Sequence, residues 1–317
     1  MSPVVSLAMP FFGLILLGFA AGRWVKLPEA GLAWMNFFIV YVSLPPLFFK
    51  LVAATPFEQL TNGRFIVMTT LCTVMIYFLS LAMGLYANRG NLRDSTIGAI
   101  VGAYANVGYM GPGLTLAALG PGSSVPTALI FVFDSMFFFS IVPLLMAFGA
   151  GEKVRFLPMA WLVAKRIFTH PFNVATFCGV AAAWFKWTPP VAVDTILNLL
   201  KGASAPVALF TLGVTVALRP LTRVPGELPF LLLIKLVVHP ALVFLVLTNI
   251  GGIEPIWVTT AVLMAALPPA LNAYVMARQY ETYVQRASAG VLVGTLVSIV
   301  TVTALLWLIA EKKLPGL

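Results

Sequence analysis

The 317-residue sequence predicts an all-α integral membrane protein whose ten transmembrane helices form two inverted five-helix repeats. Three observations predict this class. The chain is 61% hydrophobic and 9% charged, against roughly 25% charged residues in soluble domains. Apolar stretches of about 20 residues, long enough to cross a bilayer core, recur along its whole length. Residues 11–49 also align without a gap on residues 172–210, at a constant offset of 161.

The internal repeat is weak by count but informative in the residues that it matches. Glycine frees the backbone and proline restricts it, so matches at these residues indicate a shared structural unit. Eight of the 39 aligned pairs are identical, among them Gly18/Gly179, Pro28/Pro189, Ser43/Ser204, Pro45/Pro206 and Phe49/Phe210. Five spans in each half would place the second half upside down in the membrane. Inverted repeats of this kind build secondary transporters, with the binding site between the repeats near the bilayer midplane.

The elements follow in order. The first span has no basic residue ahead of it and no small-residue cleavage site, so we interpret it as structure and not as a secretory signal. The first repeat covers 1–150, a cytoplasmic linker covers 151–170 and the second repeat covers 171–317. The linker segment 156–170 has the composition either of a short interfacial helix or of a plain connector. The ten predicted spans are 4–21, 30–50, 64–86, 95–119, 125–148, 171–187, 191–218, 228–248, 255–277 and 287–310.

Charge in the loops predicts the orientation. Twelve lysines and arginines lie in the odd-numbered loops and five on the other side. The positive-inside rule then places both termini outside the cell membrane, which is the plasma or inner membrane. The net charge of +9 is explained by these short loops, so we expect no nucleic-acid partner.

The second and seventh spans carry a matched pair of serines beside prolines. Ser43 precedes Leu44-Pro45-Pro46, and Ser204 precedes Ala205-Pro206. We expect both helices to be kinked. The serine hydroxyls either point into the binding site or satisfy a carbonyl freed by the nearby proline.

The fourth and ninth spans are predicted to be broken in their middle. The fourth contains the run Asn106 to Gly113, with three glycines and a proline in six residues, and the ninth contains Leu267-Pro268-Pro269-Ala270-Leu271-Asn272. The 161 offset places the two breaks at equivalent positions, which is the best sequence indication of a transporter's site. Half-helices that restart near Gly113 and Leu271 would present free N–H groups and positive dipole ends to an anion. Plain kinks are the alternative. The candidate binding residues are Asn106, Gly108, Gly111, Pro112, Gly113, Pro268, Pro269 and Asn272, with Ser43 and Ser204 beside them.

Four ionisable residues lie inside the spans and are candidates for coupling to an ion. Asp134 lies near the middle of the fifth span, where it either relays a proton or pairs with Lys235 or His239. Lys235 and His239 are four residues apart in the eighth span, so they share one helix face. Lys201 lies in the seventh span and either snorkels to the interface or adds positive potential near the substrate.

The sequence gives no sign of an enzyme. It has no nucleophile–base pair, no metal-ligand cluster and no cofactor motif, so we expect no catalytic residue, metal or cofactor. A carrier of a small organic anion is the leading interpretation. A cation/proton antiporter or a sodium-coupled symporter on the same fold is the alternative.

Three motifs resemble the auxin efflux carrier family, and more narrowly its bacterial malonate and malate transporter branch. They are 203–213 (ASAPVALFTLG), 105–112 (ANVGYMGP) and 268–277 (PPALNAYVMA). The resemblance covers essentially the whole chain. It implies a scaffold of the first, second, sixth and seventh helices and a mobile transport domain centred on the crossover of helices four and nine. It also implies a homodimer in the lipid bilayer and a small organic anion, most simply malonate or malate, as substrate.

Overall fold

The computed structural model describes residues 3–25, 30–57, 62–151, 158, 161, 164–165, 168–218, 224–311 and 313. Every named element in these ranges is a helix, which confirms the all-α class. Among the described residues, six helices are long and apolar enough to cross a membrane, and shorter apolar helices accompany them. The protein is therefore built as a multi-pass membrane protein.

The helices of the first half begin and end close to the predicted spans. Asn62 and Asn91 start two of them by accepting a hydrogen bond from the backbone N–H three residues later, as good N-cap residues do. The helices are α1 (Pro3–Val25), α2 (Gly31–Ala53), α3 (Gly63–Ala87), α4a (Leu92–Ala103), α4b (Gly111–Leu119) and α5 (Pro121–Gly149).

The second half repeats the same order at nearly the same offset. α6 and α9a both begin with a proline, which suits the first turn because its missing N–H has no helical partner there. The helices are α6 (Pro171–Trp184), α7 (Val191–Ala217), α8 (Leu228–Ile250), α9a (Pro255–Ala266), α9b (Asn272–Gln279) and α10 (Val284–Ala310).

The irregular turns differ from the predicted kinks. A π-helical turn, Phe38–Ser43, interrupts α2 just before its two prolines. α7, in contrast, runs as one α-helix through Pro206. The second π-helical turn, Ile234–Val238, lies in α8, directly before His239-Pro240. Proline cannot donate to the preceding turn, and a π-turn accommodates that loss.

Packing between the two halves is reciprocal. α1 packs along α7, and α2 packs along α6. A Cβ atom on Gly18 would overlap the carbonyl of Phe210, and one on Gly179 would lie 3.0 Å from the carbonyl oxygen of Phe49. In the repeat, Gly18 matches Gly179 and Phe210 matches Phe49. The two contacts are therefore the same contact with the two halves exchanged.

The two broken helices occupy the centre of the molecule. All residues from Ser95 to Ala103 in α4a and from Trp257 to Ala266 in α9a are buried. The other helices surround them, so the breaks lie inside protein and not against lipid. Most of the predicted interfacial helix at 156–170 lies outside the described residues. So do several of the basic loop residues that underlie the predicted orientation.

Candidate functional site

The first broken helix is interrupted over residues 104–110. α4a ends at Ala103, and Tyr104 takes an extended conformation with φ −77° and ψ 107°. α4b begins at Gly111 with Pro112 in its first turn, where a missing N–H costs no hydrogen bond. The helix therefore restarts two residues before the predicted Gly113, because Pro112 begins it and does not interrupt it.

The second broken helix is interrupted over a shorter stretch, 267–271. Leu267 is extended, with φ −60° and ψ 151°, and α9b begins at Asn272, one residue after the predicted Leu271. The two breaks cross each other, and Ala105 and Pro269 pair there as an isolated antiparallel bridge.

Backbone hydrogen bonds hold the crossing together. The N–H of Asn106 donates to the carbonyl of Pro268 at 2.9 Å, and the N–H of Ala270 donates to the carbonyl of Tyr104 at 2.8 Å. Each break thus provides hydrogen-bond partners for backbone groups of the other break that have none within their own helix. Irregular backbone in a membrane protein requires such partners.

Asn106 organises the start of α4b. Its Oδ1 accepts a bond from the N–H of Tyr109 at 3.4 Å, and its carbonyl accepts from the N–H groups of Met110 and Gly111, both at 3.2 Å. Its Nδ2 is buried without a hydrogen-bond partner. The side chain is 1% exposed, so in this conformation Asn106 supports the crossover from inside.

Two glycines of the first break allow close packing. A Cβ on Gly111 would lie 2.8 Å from the Sδ of Met264 in α9a. A Cβ on Gly113 would lie 3.0 Å from the Cβ of Ala205 and 3.1 Å from Cε1 of Phe11. Gly113 thus marks the place where α4b lies directly against α1 and α7. The other predicted residues of the breaks, Gly108, Pro112, Pro268 and Pro269, are buried in the crossover.

A cavity of about 620 Å³ opens beside the crossover. One wall comes from α2 and the start of α6, and the other from α5, α9b and the first break. Of the predicted binding residues, Asn272 lines this cavity. The Tyr104 hydroxyl interacts with the side chains of Asn272 and Ser135, the latter at 3.3 Å, and so links the cavity wall to the crossover. The polar lining side chains include Asn36, Tyr41, Tyr109, His170, Asn272 and Gln279.

The cavity has the chemistry of a site for a small polar ligand. Among the described residues that line it, none is an aspartate, glutamate, lysine or arginine. Amides and hydroxyls can donate hydrogen bonds to a carboxylate. The start of α9b, at Asn272, adds the positive end of a helix.

Ser43 and Ser204 lie together at the centre of the α2–α7 contact, away from the cavity. Both are fully buried. The Ser204 hydroxyl donates to the carbonyl of Ser43 at 2.7 Å and to that of Leu200 at 3.1 Å, and the Ser43 hydroxyl donates to the carbonyl of Ile39 at 3.4 Å. The serine hydroxyls thus bond to backbone carbonyls, although not to those of Tyr41 and Gly202, which lie four residues before Pro45 and Pro206.

The coupling candidates divide into a buried cluster and a separate lysine. Asp134 is hydrogen-bonded to Thr73 and faces Lys235. The Lys235 ammonium lies 3.4 Å from Nδ1 of His239 and donates to the carbonyl of Ala265. Lys235 therefore provides a hydrogen-bond donor for a free carbonyl in the last turn of α9a, where the ninth helix breaks. Lys201, half-buried on α7, joins neither this cluster nor the cavity.

Several cavity residues were not predicted from the sequence. Asn36, Tyr109, His170 and Gln279 line the cavity, and we had named none of them as a binding residue. The available signal was a polar side chain in or beside an apolar span. Asn36 sits within the second span, and His170 directly precedes the sixth.

Comparison with known proteins identifies relatives over the whole chain. Residues 3–306 match the family described as membrane transport protein. A protein of Rhizobium meliloti (strain 1021) named "Putative malonate transporter" is 46% identical over 316 residues, covering 100% of this chain and 99% of that protein. An Escherichia coli (strain K12) protein named "Uncharacterized transporter YfdV" is 24% identical, covering 96% of each chain. The Arabidopsis thaliana auxin efflux carrier component 8 is 22% identical, covering 96% of this chain and 97% of its own.

Proposed function

The chain belongs to the membrane transport protein family, the family of the auxin efflux carriers, and we propose that it is a secondary carrier of a small dicarboxylate such as malonate. The observation that carries the proposal is the 620 Å³ cavity with Asn272 and the start of α9b in its wall. It lies beside crossed helix breaks, where transporters of inverted-repeat design bind their substrates. The name of the 46% identical relative supports malonate as the substrate to test first.

We propose that the protein crosses the membrane ten times, as two inverted repeats. The reciprocal contacts of Gly18 with Phe210 and of Gly179 with Phe49 support this, because a two-fold axis generates each contact twice. Such an axis also brings a residue close to its own counterpart. Ser43 and Ser204, 161 residues apart and joined by a hydrogen bond, meet that condition.

Transport would occur by alternating access. We infer that α1, α2, α6 and α7 form a scaffold, because α1 packs along α7 and α2 along α6. The remaining helices would form the mobile transport domain around the crossover. The cavity lies between these two groups, with Asn36 and Tyr41 on the scaffold side and Tyr109 and Asn272 on the other. A relative movement of the groups would close it.

We infer that the cavity is accessible from one side of the membrane in this arrangement. The cavity is lined at its mouth by Thr169 and His170, where the linker joins α6, and by Gln279 at the end of α9b. On the opposite side, the packing of Gly113 against Phe11 and Ala205 closes the path. With both termini outside the cell membrane, as proposed from the loop charges, the open side faces the cytoplasm.

The charge of the substrate determines whether its transport needs an energy source. A dianion that enters an energised cell works against about 2.3 kcal/mol per charge at 100 mV. Uptake therefore needs a coupled cation or proton, and efflux does not. We further propose that the carrier is a homodimer, which light scattering of the purified protein would test.

Cysteine protection tests the proposed site. The chain has two native cysteines, Cys72 and Cys178, which are replaced first. Val275 lines the cavity and is 51% exposed, so a Val275→Cys variant reports on it. Malonate should slow maleimide labelling of this cysteine, and acetate should not. Tyr86→Cys, on an exposed helix end outside the cavity, is the matched control. Equal labelling with and without saturating malonate would contradict the proposed site.

A further inference from the structure

His170 stands at the mouth of the cavity. It directly precedes α6, and its ring lies between Phe139 and Phe172, with ring centroids 4.9 and 4.7 Å away. Its Nδ1 is buried and has no hydrogen-bond partner. Because His170 lines a polar cavity, its imidazole is able to bind a ligand that enters.

His170 is the one group among the described lining residues that can become a cation near neutral pH. The other titratable lining groups are the hydroxyls of Tyr41, Tyr109 and Tyr280. No described carboxylate lines the cavity with it. Among the described residues, the charged side chains on neighbouring segments include Arg93, which donates to the carbonyl of Tyr280 at 2.9 Å, and the exposed Lys165, Arg278 and Glu281.

The protein surroundings of the ring favour the neutral imidazole. Burial lowers the pKa of His170 from 6.5 to about 4, because desolvation disfavours the charged ring. The positive end of α6 also opposes a charge on the ring. A carboxylate in the cavity would raise the pKa of His170, because an opposite charge within a few ångströms favours the protonated ring.

We propose that His170 binds one carboxylate of the substrate as an imidazolium ion, so that the dianion binds together with one proton. The proton comes from water and adds to an imidazole nitrogen, and no bond of the substrate breaks. Asn272 lines the same cavity and is available to the second carboxylate. This inference rests on the proposed function and adds to it a residue that distinguishes anions from neutral ligands.

Histidine NMR tests the inference in the intact protein. The chain has two histidines, and His239 is buried against Lys235 and does not line the cavity. In protein labelled with ¹⁵N-histidine, malonate at pH 6 should convert the His170 signal to the imidazolium form and leave the His239 signal unchanged. Methanedisulfonate, which stays a dianion across the pH range used, should do the same, so titration of the ligand itself is excluded.

Proton counting gives the second measurement. Calorimetry in two buffers of different ionisation enthalpy should show about one proton taken up per bound methanedisulfonate. Affinity should rise up to tenfold per pH unit as pH falls from the raised pKa of the complex towards about 4, because the complex binds the extra proton. His170→Gln should bind more weakly and lose both the proton uptake and this pH dependence.

These measurements distinguish failure of the His170 inference from failure of the proposed function. If the wild-type protein transports malonate but the His170 signal stays neutral on binding, the inference is wrong and the proposed function stands. If proton uptake persists in His170→Gln, another group takes the proton and the inference is again wrong. If the folded wild-type protein neither binds nor transports malonate, the proposed function fails, and the inference fails with it.

Discussion

Enlarging Gly113 should trap the carrier in the opposite conformation. A single added Cβ would already lie 3.0 Å from Ala205 Cβ and 3.1 Å from Phe11 Cε1, closer than ordinary van der Waals contact, and leucine adds further carbon atoms beyond it. Overpacking of this kind costs about 1–3 kcal/mol. If the contact exists only while the opposite side is open, Gly113→Leu shifts the ratio of the two states by roughly 5- to 150-fold.

The assay uses the cavity reporter Val275→Cys in the cysteine-free protein. Gly113→Leu should slow its maleimide labelling, by at most the factor by which the ratio of the two states shifts, because the cavity is open in fewer molecules. Gly202→Leu is the matched control, since a Cβ at Gly202 meets nothing within 4 Å. Unchanged labelling in a folded Gly113→Leu protein would refute the inference that the α4b contact closes one side while the cavity opens the other.

Three further outcomes are expected. Asn272→Ala should raise the malonate concentration for half-maximal transport roughly tenfold or more, because a hydrogen bond to a charged group contributes about 1.5–3 kcal/mol; the exposed Asn249→Ala is the control, and an equal effect of both would contradict a direct contact. Gly18→Leu should lower the melting temperature by several degrees through overpacking against α7, whereas Gly13→Leu, with open space around it, should not. Asp134→Asn should preserve malonate counterflow, because Asp134 lies outside the cavity; loss of transport with anion binding intact would favour the cation/proton antiporter instead.

Much of the helix order could be predicted from the sequence, because apolar length and proline placement are local properties. The positions of the breaks were predicted to within a few residues. The exact restart at Gly111 could not be predicted, because a proline in a span can either break a helix or begin one, and the crossing backbone of the other break decides which. The contact between Ser43 and Ser204 could have been predicted, because matched residues of inverted repeats can meet on the axis that relates the repeats.

The cavity could not be predicted in the same way. Which polar residues line it depends on how α2, α5, α6 and α9b pack together, and no local sequence pattern shows that packing. Asn106 carried the stronger sequence signal but is buried under the crossover. His170 carried almost no sequence signal, because it lies just outside an apolar span. It lines the cavity only because α5 and α6 pack together.

Counterflow of labelled malonate into proteoliposomes tests the central claim most directly. Vesicles loaded with unlabelled malonate should accumulate the label transiently, and external malonate, malate and succinate should compete. Acetate and an indole acid should compete weakly, because neither offers two carboxylates to the cavity. Absence of counterflow by folded protein, or equal competition by acetate, would contradict the assignment of this chain as a dicarboxylate carrier.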